Sequence, residues 1–236
     1  MEIMEIIKDA LVYPLNNLKA LVIYIILGII LGVSVIGTVV AIAASAAADN
    51  VLAVIGTGII GIIIALILAF VISGYELDII KYGIGRNDGA PGIDIVRQFT
   101  NGVKLFAVDI VYFLVPIIIA AILAVIFQHW LSVIITILLF ILFALAAFMG
   151  RCRLAKTEDL GNALAIGEAI GDISRVGIGK LIIFLIVVAI IIFILYFIVT
   201  LIAQWNQAVG GTLMGILGVY ITFFVGRATG LLYSDV

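Results

Sequence analysis

Charge, cysteine, histidine and proline are all scarce in this chain. Only 11% of its 236 residues are charged, where soluble domains carry about 25%. There is too little polar surface to cover a water-soluble core, so an ordinary soluble enzyme is excluded. The net charge of −2 excludes the basic footprint of a nucleic-acid binder. A single cysteine, Cys152, rules out an intrachain disulfide. Lying between Arg151 and Arg153, it reads as a reduced interfacial thiol, with acylation the sharper alternative. A single histidine, His129, cannot form a zinc site that needs three or four protein ligands. Histidine–carboxylate pairings, paired acids within a span and a G-x-S-x-G nucleophile motif are also missing. The expectation is therefore a non-enzymatic protein without a metal or cofactor. The start, Met1-Glu2-Ile3-Met4-Glu5, is acidic where a secretion signal is basic, so the first span is expected to direct insertion itself.

What the chain does have is hydrocarbon, at 66% hydrophobic residues and a mean hydropathy of +1.45. Six apolar runs are long enough to cross a bilayer: Leu18–Ala48, Val51–Ser73, Leu105–Phe127, Leu131–Met149, Leu181–Ala203 and Ala208–Val225. They pair into three hairpins with tips at Asp49-Asn50, Gln128-His129-Trp130 and Gln204-Trp205-Asn206-Gln207. All twelve Lys and Arg residues lie before, between or after the hairpins and none on a tip. Orientation follows Lys and Arg in short loops, which predicts cytoplasmic termini and outer tips. Trp130 and Trp205 then sit where indoles anchor at headgroup level. The first run would be about 46 Å long as a helix, which predicts a helical extension past the outer leaflet.

A period organises these runs. Gly74, Gly150 and Gly226 are 76 residues apart and each closes a hairpin, while Lys104 and Lys180 keep the same step. Lys19 stands 55 residues before Gly74 instead of 46. A fixed period signals a repeated architecture. The predicted fold is all-α: a single integral membrane domain over 1–236, built from three tandem parallel hairpin units at about 1–76, 77–152 and 153–236. Parallel units imply approximate threefold pseudosymmetry.

An amphipathic segment precedes each hairpin and is expected to lie in the cytoplasmic interface. The first sets Ile3, Ile6, Ile7, Ala10 and Leu11 against Glu2, Glu5, Lys8 and Asp9. The second sets Ile95, Val96, Phe99 and Val103 against Asp94, Arg97, Gln98 and Asn101. In the third, Ile166, Ile170 and Ile173 oppose Glu168, Asp172 and Arg175. The loop from Gly83 to Gly92 is turn-rich.

Gly56-Thr57-Gly58-Ile59-Ile60-Gly61 matches the dinucleotide fingerprint G-x-G-x-x-G. Its surroundings are wholly apolar, so the glycines read as helix-packing positions. Gly28/Gly32, Gly211/Gly215 and Gly226/Gly230 are G-x-x-x-G pairs, which predicts that spans one, two and six pack together while four and five face lipid more.

Five residues stand out as candidate lipid or partner contacts: Tyr75, Lys104, Asp109, Arg151 and Arg227. Arg151 and Arg227 follow repeat glycines, with Tyr75 in the matching first position, and could form a rim for a lipid phosphate. The alternative is inner-leaflet anchoring. Asp109 is an acid inside a span and so a functional candidate by default, but its place near the cytoplasmic end favours pairing with a neighbouring base. Pro116, seven residues on, is expected to kink that span.

The stretch Gly74-Tyr75, Ala90-Pro91, Asp94, Phe99, Asn101-Gly102-Val103-Lys104 and Tyr112-Phe113-Leu114-Val115-Pro116 resembles a family of archaeal and bacterial multi-pass membrane proteins, known as domain of unknown function 4013. Tyr13-Pro14-Leu15-Asn16-Asn17 fits it too, whereas Ala90-Pro91 departs from its Leu-Pro pattern. The resemblance implies a prokaryotic plasma membrane and supports six spans; it carries no active site. The expected function is a membrane scaffold, assembly subunit or lipid-binding component. The alternative is a transporter or channel for a small or apolar solute, which a water-filled cavity reaching Asp109 would favour. Membrane lipids are the expected partners, with a membrane protein or a second copy of the chain beside them.

Overall fold

A computed structural model describes residues 1–126 and 130–236, with the backbone alone at 207 and 208. Among the described residues the chain is helical without strands. Six helices are long and apolar enough to cross a membrane, which makes this a multi-pass membrane protein by length and composition. The elements are α1 (Ile3–Asn16), α2 (Leu18–Ala47), α3 (Val51–Ile84), α4 (Ile95–Ile126), α5 (Trp130–Thr157), α6 (Leu160–Ala163), α7 (Ile166–Val176), α8 (Ile178–Trp205) and α9 (Gln207–Tyr233). The expected first extension is helical: α2 continues through its alanine-rich end to Ala47. The predicted tip at Gln128-His129 lies outside the described residues.

The buried core occupies one end of the bundle, the end that carries the cations. Ile6, Tyr75, Ile79, Met149, Leu154, Phe224 and Leu231 are all buried there. Toward the tips, Val33, Ile36, Leu52, Ile55, Val125, Leu138 and Phe193 are exposed. Exposure of a spanning helix costs nothing against lipid tails, which are as apolar as leucine. Packing is therefore needed only where the chain must bury its polar groups.

Three helices meet in the middle of that end. α3 packs against both α9 and α5, with α2 beside α3 and α9, α4 beside α3 and α5, and α8 beside α9. The repeat glycines allow the close approaches. A Cβ on Gly74 would overlap the Gln98 carbonyl of α4, and one on Gly102 would overlap the Phe70 carbonyl of α3. A Cβ on Gly226 would lie 3.1 Å from the Ile79 side chain, and one on Gly230 would overlap the backbone at Ile80 and Gly83. A Cβ on Gly150 would lie 3.0 Å from the Tyr112 ring.

The expected packing of spans one, two and six holds as adjacency, since α2, α3 and α9 touch one another. The expected contrast with spans four and five holds only for α9, whose most apolar window is 28% buried. The most apolar window of α2 is 0% buried, against 11% in both α5 and α8. Gly28 does meet Val219, but Gly32, Gly211 and Gly215 face open space. The contacts form at the basic end, outside most of the apolar windows.

The G-x-G-x-x-G run lies inside α3, where the Thr57 hydroxyl donates back to the Ala53 carbonyl at 2.6 Å. No strand precedes it, so it is not a nucleotide loop. α4 runs unbroken through Pro116. Cys152 is fully buried, which removes it as an acylation site.

Candidate functional site

The segments leading into the hairpins pack on helices from other hairpins. α1 lies on α9, the start of α4 lies on α3, and α7 lies on α5. In α1 the buried face is Ile6, Ile7, Ala10 and Tyr13, close to the stripe expected from sequence. In α7 it is Ala169, Asp172 and Ile173. The second segment is not a separate helix: its residues form the first turns of α4. There the expected orientation is reversed. Gln98 and Asn101 are buried, while Ile95, Val96 and Val103 are exposed. The reason is a polar partner on α3. Asp78 is buried and accepts from Arg97 at 3.0 Å and from Asn101 at 3.1 Å. The Tyr24 hydroxyl donates to Gln98 at 2.5 Å.

Each sequence-predicted site residue now has a place. Tyr75 is fully buried, stacked on Tyr24 at 3.9 Å, and donates to the Pro91 carbonyl at 3.2 Å. Lys104 donates to the Glu158 carbonyl at 2.9 Å. Beside it, Lys81 reaches the Glu158 carboxylate at 2.6 Å and holds its pKa below the usual value. Arg227 is only 2% exposed. It donates to Asp9 at 2.7 Å, to Asp88 at 2.8 Å and to the Asn87 carbonyl at 2.6 Å. It also lies over the Tyr13 ring at 5.1 Å. Burial pushes the Tyr13 phenol up to about 12, against the pull of the Arg227 charge. Tyr75 and Arg227 thus hold the fold together from inside and present no rim.

Arg151 and Asp109 differ from these. They form a two-pronged pair, Nε to Oδ1 at 2.9 Å and Nη2 to Oδ2 at 2.8 Å. Both remain accessible, at 41% and 34% side-chain exposure. The pair stands at one end of a cavity of about 720 Å3 between α4 and α5. Tyr112, Phe113, Pro116, Phe140 and Phe148 supply its walls. Phe113 and Phe140 meet edge to face at 6.2 Å. Small-molecule pockets typically span about 300–1,000 Å3 and join apolar walls to a few polar groups. This cavity matches an amphiphile, with charge at one end and hydrocarbon along the rest. Sequence reasoning named Asp109 and Arg151 but missed the aromatic wall, because α4 and α5 must be packed before Phe113 and Phe140 face one space.

No cluster of metal-ligating side chains occurs among the described residues. A family model described as "Protein of unknown function (DUF4013)" matches residues 58–204. The chain belongs to that family. The DUF4013 stretch runs from within α3 into α8, so it contains both groove helices and the Asp109–Arg151 pair. No curated protein and no solved structure matches the chain.

Proposed function

We propose that this protein is a non-enzymatic component of a prokaryotic plasma membrane, a lipid-binding scaffold or assembly subunit, and that the groove between α4 and α5 is its lipid site. One observation carries the reading: a solvated ion pair closes the polar end of an otherwise apolar groove. In this reading Arg151 contacts the lipid phosphate, and the aromatic wall takes part of an acyl chain. The basic end faces the cytoplasm by the distribution of Lys and Arg. The hairpins are three parallel units. Supporting this, the closing helix of each unit carries the lead-in segment of the next: α3 with the start of α4, α5 with α7, and α9 with α1. Amphipathic α1 and α7 then lie at the inner interface.

The test fills the groove. Ala144 lines it and is exposed, so Ala144→Trp should leave folding intact. Native mass spectrometry of protein extracted without detergent should show lipid adducts that this variant loses. Equal adducts in both proteins would refute the lipid site.

A second reading has an observation in its favour, because the cavity does reach Asp109. Its apolar wall suits passage of an apolar solute better than water. Against transport, the basic end beside it is closed by core: Tyr112 donates to the Ala163 carbonyl at 2.9 Å, and Met149 is fully buried. Solute flux into proteoliposomes that Ala144→Trp abolishes would establish the transport reading.

A further inference from the structure

We propose that the groove takes lipids whose headgroup carries no net charge, a phosphate joined to an ammonium, and that Asp109 is the residue that turns anionic headgroups away. This rests on the lipid reading of the groove. The groove lining holds two charged side chains, Asp109 and Arg151, and they cancel. The pair is not a structural clamp. Arg227, at the matching place in the 76-residue step, is 2% exposed and locked by Asp9 and Asp88. Arg151 and Asp109 keep 41% and 34% of their side chains exposed, where an ion pair adds little to stability. The position 76 residues beyond Asp109 is Leu185. The acid is therefore an addition to the repeated framework, placed at the polar end of the cavity.

Asp109 occupies the edge of Arg151 that an anion would use. The Nε–Nη2 edge of a guanidinium offers two parallel donors, the geometry that matches a carboxylate or a phosphate. Both donors are already on Asp109, at 2.9 and 2.8 Å. A guanidinium has five N–H donors in a fixed fork, so Nη1 still has donors to offer a phosphate oxygen. A phosphate held there stands beside the Asp109 carboxylate.

A headgroup whose only charge is that phosphate meets Asp109 as a like charge, and repulsion opposes it. A headgroup that also carries an ammonium can set it against Asp109 while its phosphate meets Arg151, two opposed dipoles side by side. Charge alone suffices for this, so a quaternary ammonium without N–H groups serves. The aromatic and proline walls, Phe113, Pro116 and Phe140, lower the local dielectric on one side of the pair and strengthen both the attraction and the repulsion.

The experiment is a competition. The full chain is placed in nanodiscs containing equal parts of phosphatidylcholine and phosphatidylglycerol with the same acyl chains, and bound lipid is read by native mass spectrometry. Adducts that Ala144→Trp removes are the groove-bound ones. Among them phosphatidylcholine should exceed phosphatidylglycerol by about fivefold, the scale of one partly solvated ion pair. Asp109→Asn keeps the size of the side chain and an acceptor for Arg151 but drops the charge, and it should bring that ratio to one or below. Asp109→Glu keeps the charge and should keep the excess. Equal binding, or an excess of phosphatidylglycerol, in the unaltered protein overturns the proposal. So does an excess of phosphatidylcholine that survives Asp109→Asn or vanishes in Asp109→Glu. Loss of every groove adduct in Asp109→Asn would make the acid a support for Arg151 and overturn it too. Each of these results leaves the groove as a lipid site. Adducts that Ala144→Trp leaves in place overturn the lipid reading itself, and the headgroup preference with it.

Discussion

At the scale of single residues, two arginines at equivalent places in the 76-residue step do different things. Arg227 is enclosed by Asp9, Asp88 and the Asn87 carbonyl, whereas Arg151 keeps an exposed edge. Removing one partner of a buried ion pair typically costs about 3–5 kcal/mol. Asp88 is itself 91% exposed, so Arg227→Ala should fall at the lower end, about 3 kcal/mol. Arg227→Lys should not restore it, because an ammonium cannot reproduce the fork. Arg151→Ala should cost under about 1 kcal/mol, as for an exposed pair. Thermal unfolding in detergent measures all three. Tyr13 adds a pH dependence. Its phenol is pushed up to about 12 in the fold, against about 10 when unfolded. Between those values the folded state holds more protons, so its contribution to stability is complete below about pH 10 and falls as pH rises toward about 12. Unfolding midpoints measured across that window should decline less steeply in Tyr13→Phe.

The glycines set a contrast at the same scale. Gly74→Ala and Gly102→Ala would each drive a methyl into a neighbouring helix backbone. Overpacking of that kind costs about 1–3 kcal/mol. Gly56 and Gly211 face open space, so alanine there should be neutral or add up to about 1 kcal/mol through helix propensity. If the two pairs behave alike in detergent melts, the α3–α4 crossing is misplaced.

At the scale of elements, the sequence was most legible where hydrocarbon decided the outcome. Run lengths located six spans, and the stripe of α1 named its buried face. The start of α4 shows the limit. Periodicity separated Ile95, Val96 and Val103 from Gln98 and Asn101 correctly, but it cannot say which face turns inward. Asp78 decides that, and its position opposite Asn101 exists only after α3 and α4 have crossed. Where lipid can cover an apolar face, a bundle can turn its polar face toward a polar partner. The groove was half legible for the same reason: Asp109 and Arg151 advertise charge in a hydrophobic context, while Phe113 and Phe140 look like any other lipid-facing residues. Element adjacency has a direct test. A Cβ on Gly28 would lie 3.0 Å from a methyl of Val219, within the reach of a disulfide. Gly28→Cys with Val219→Cys should crosslink under mild oxidation, with Cys152 too deeply buried to compete. Gly28→Cys with Val188→Cys on α8 should not.

At the scale of the whole molecule, the unequal distribution of packing is the informative property. The described chain buries its core at the basic end and leaves its apolar windows between 0% and 28% buried. A soluble protein built this way would aggregate through its exposed patches; in a bilayer the same surface is solvated. The polar pairs that close the bundle therefore need to be at one end only, and the end they occupy is where all twelve cations fall. The positive-inside rule predicts that this end lies in the cytoplasm. Cysteine labelling in intact cells distinguishes this from the opposite orientation. Ala46 is exposed near the tip joining α2 to α3, and Gly89 is exposed in the loop between α3 and α4. Ala46→Cys should react with a membrane-impermeant maleimide from outside, and Gly89→Cys only after permeabilisation. The reverse pattern would put the Asp109–Arg151 pair in the outer leaflet, and the groove would then draw its lipid from the opposite side of the membrane.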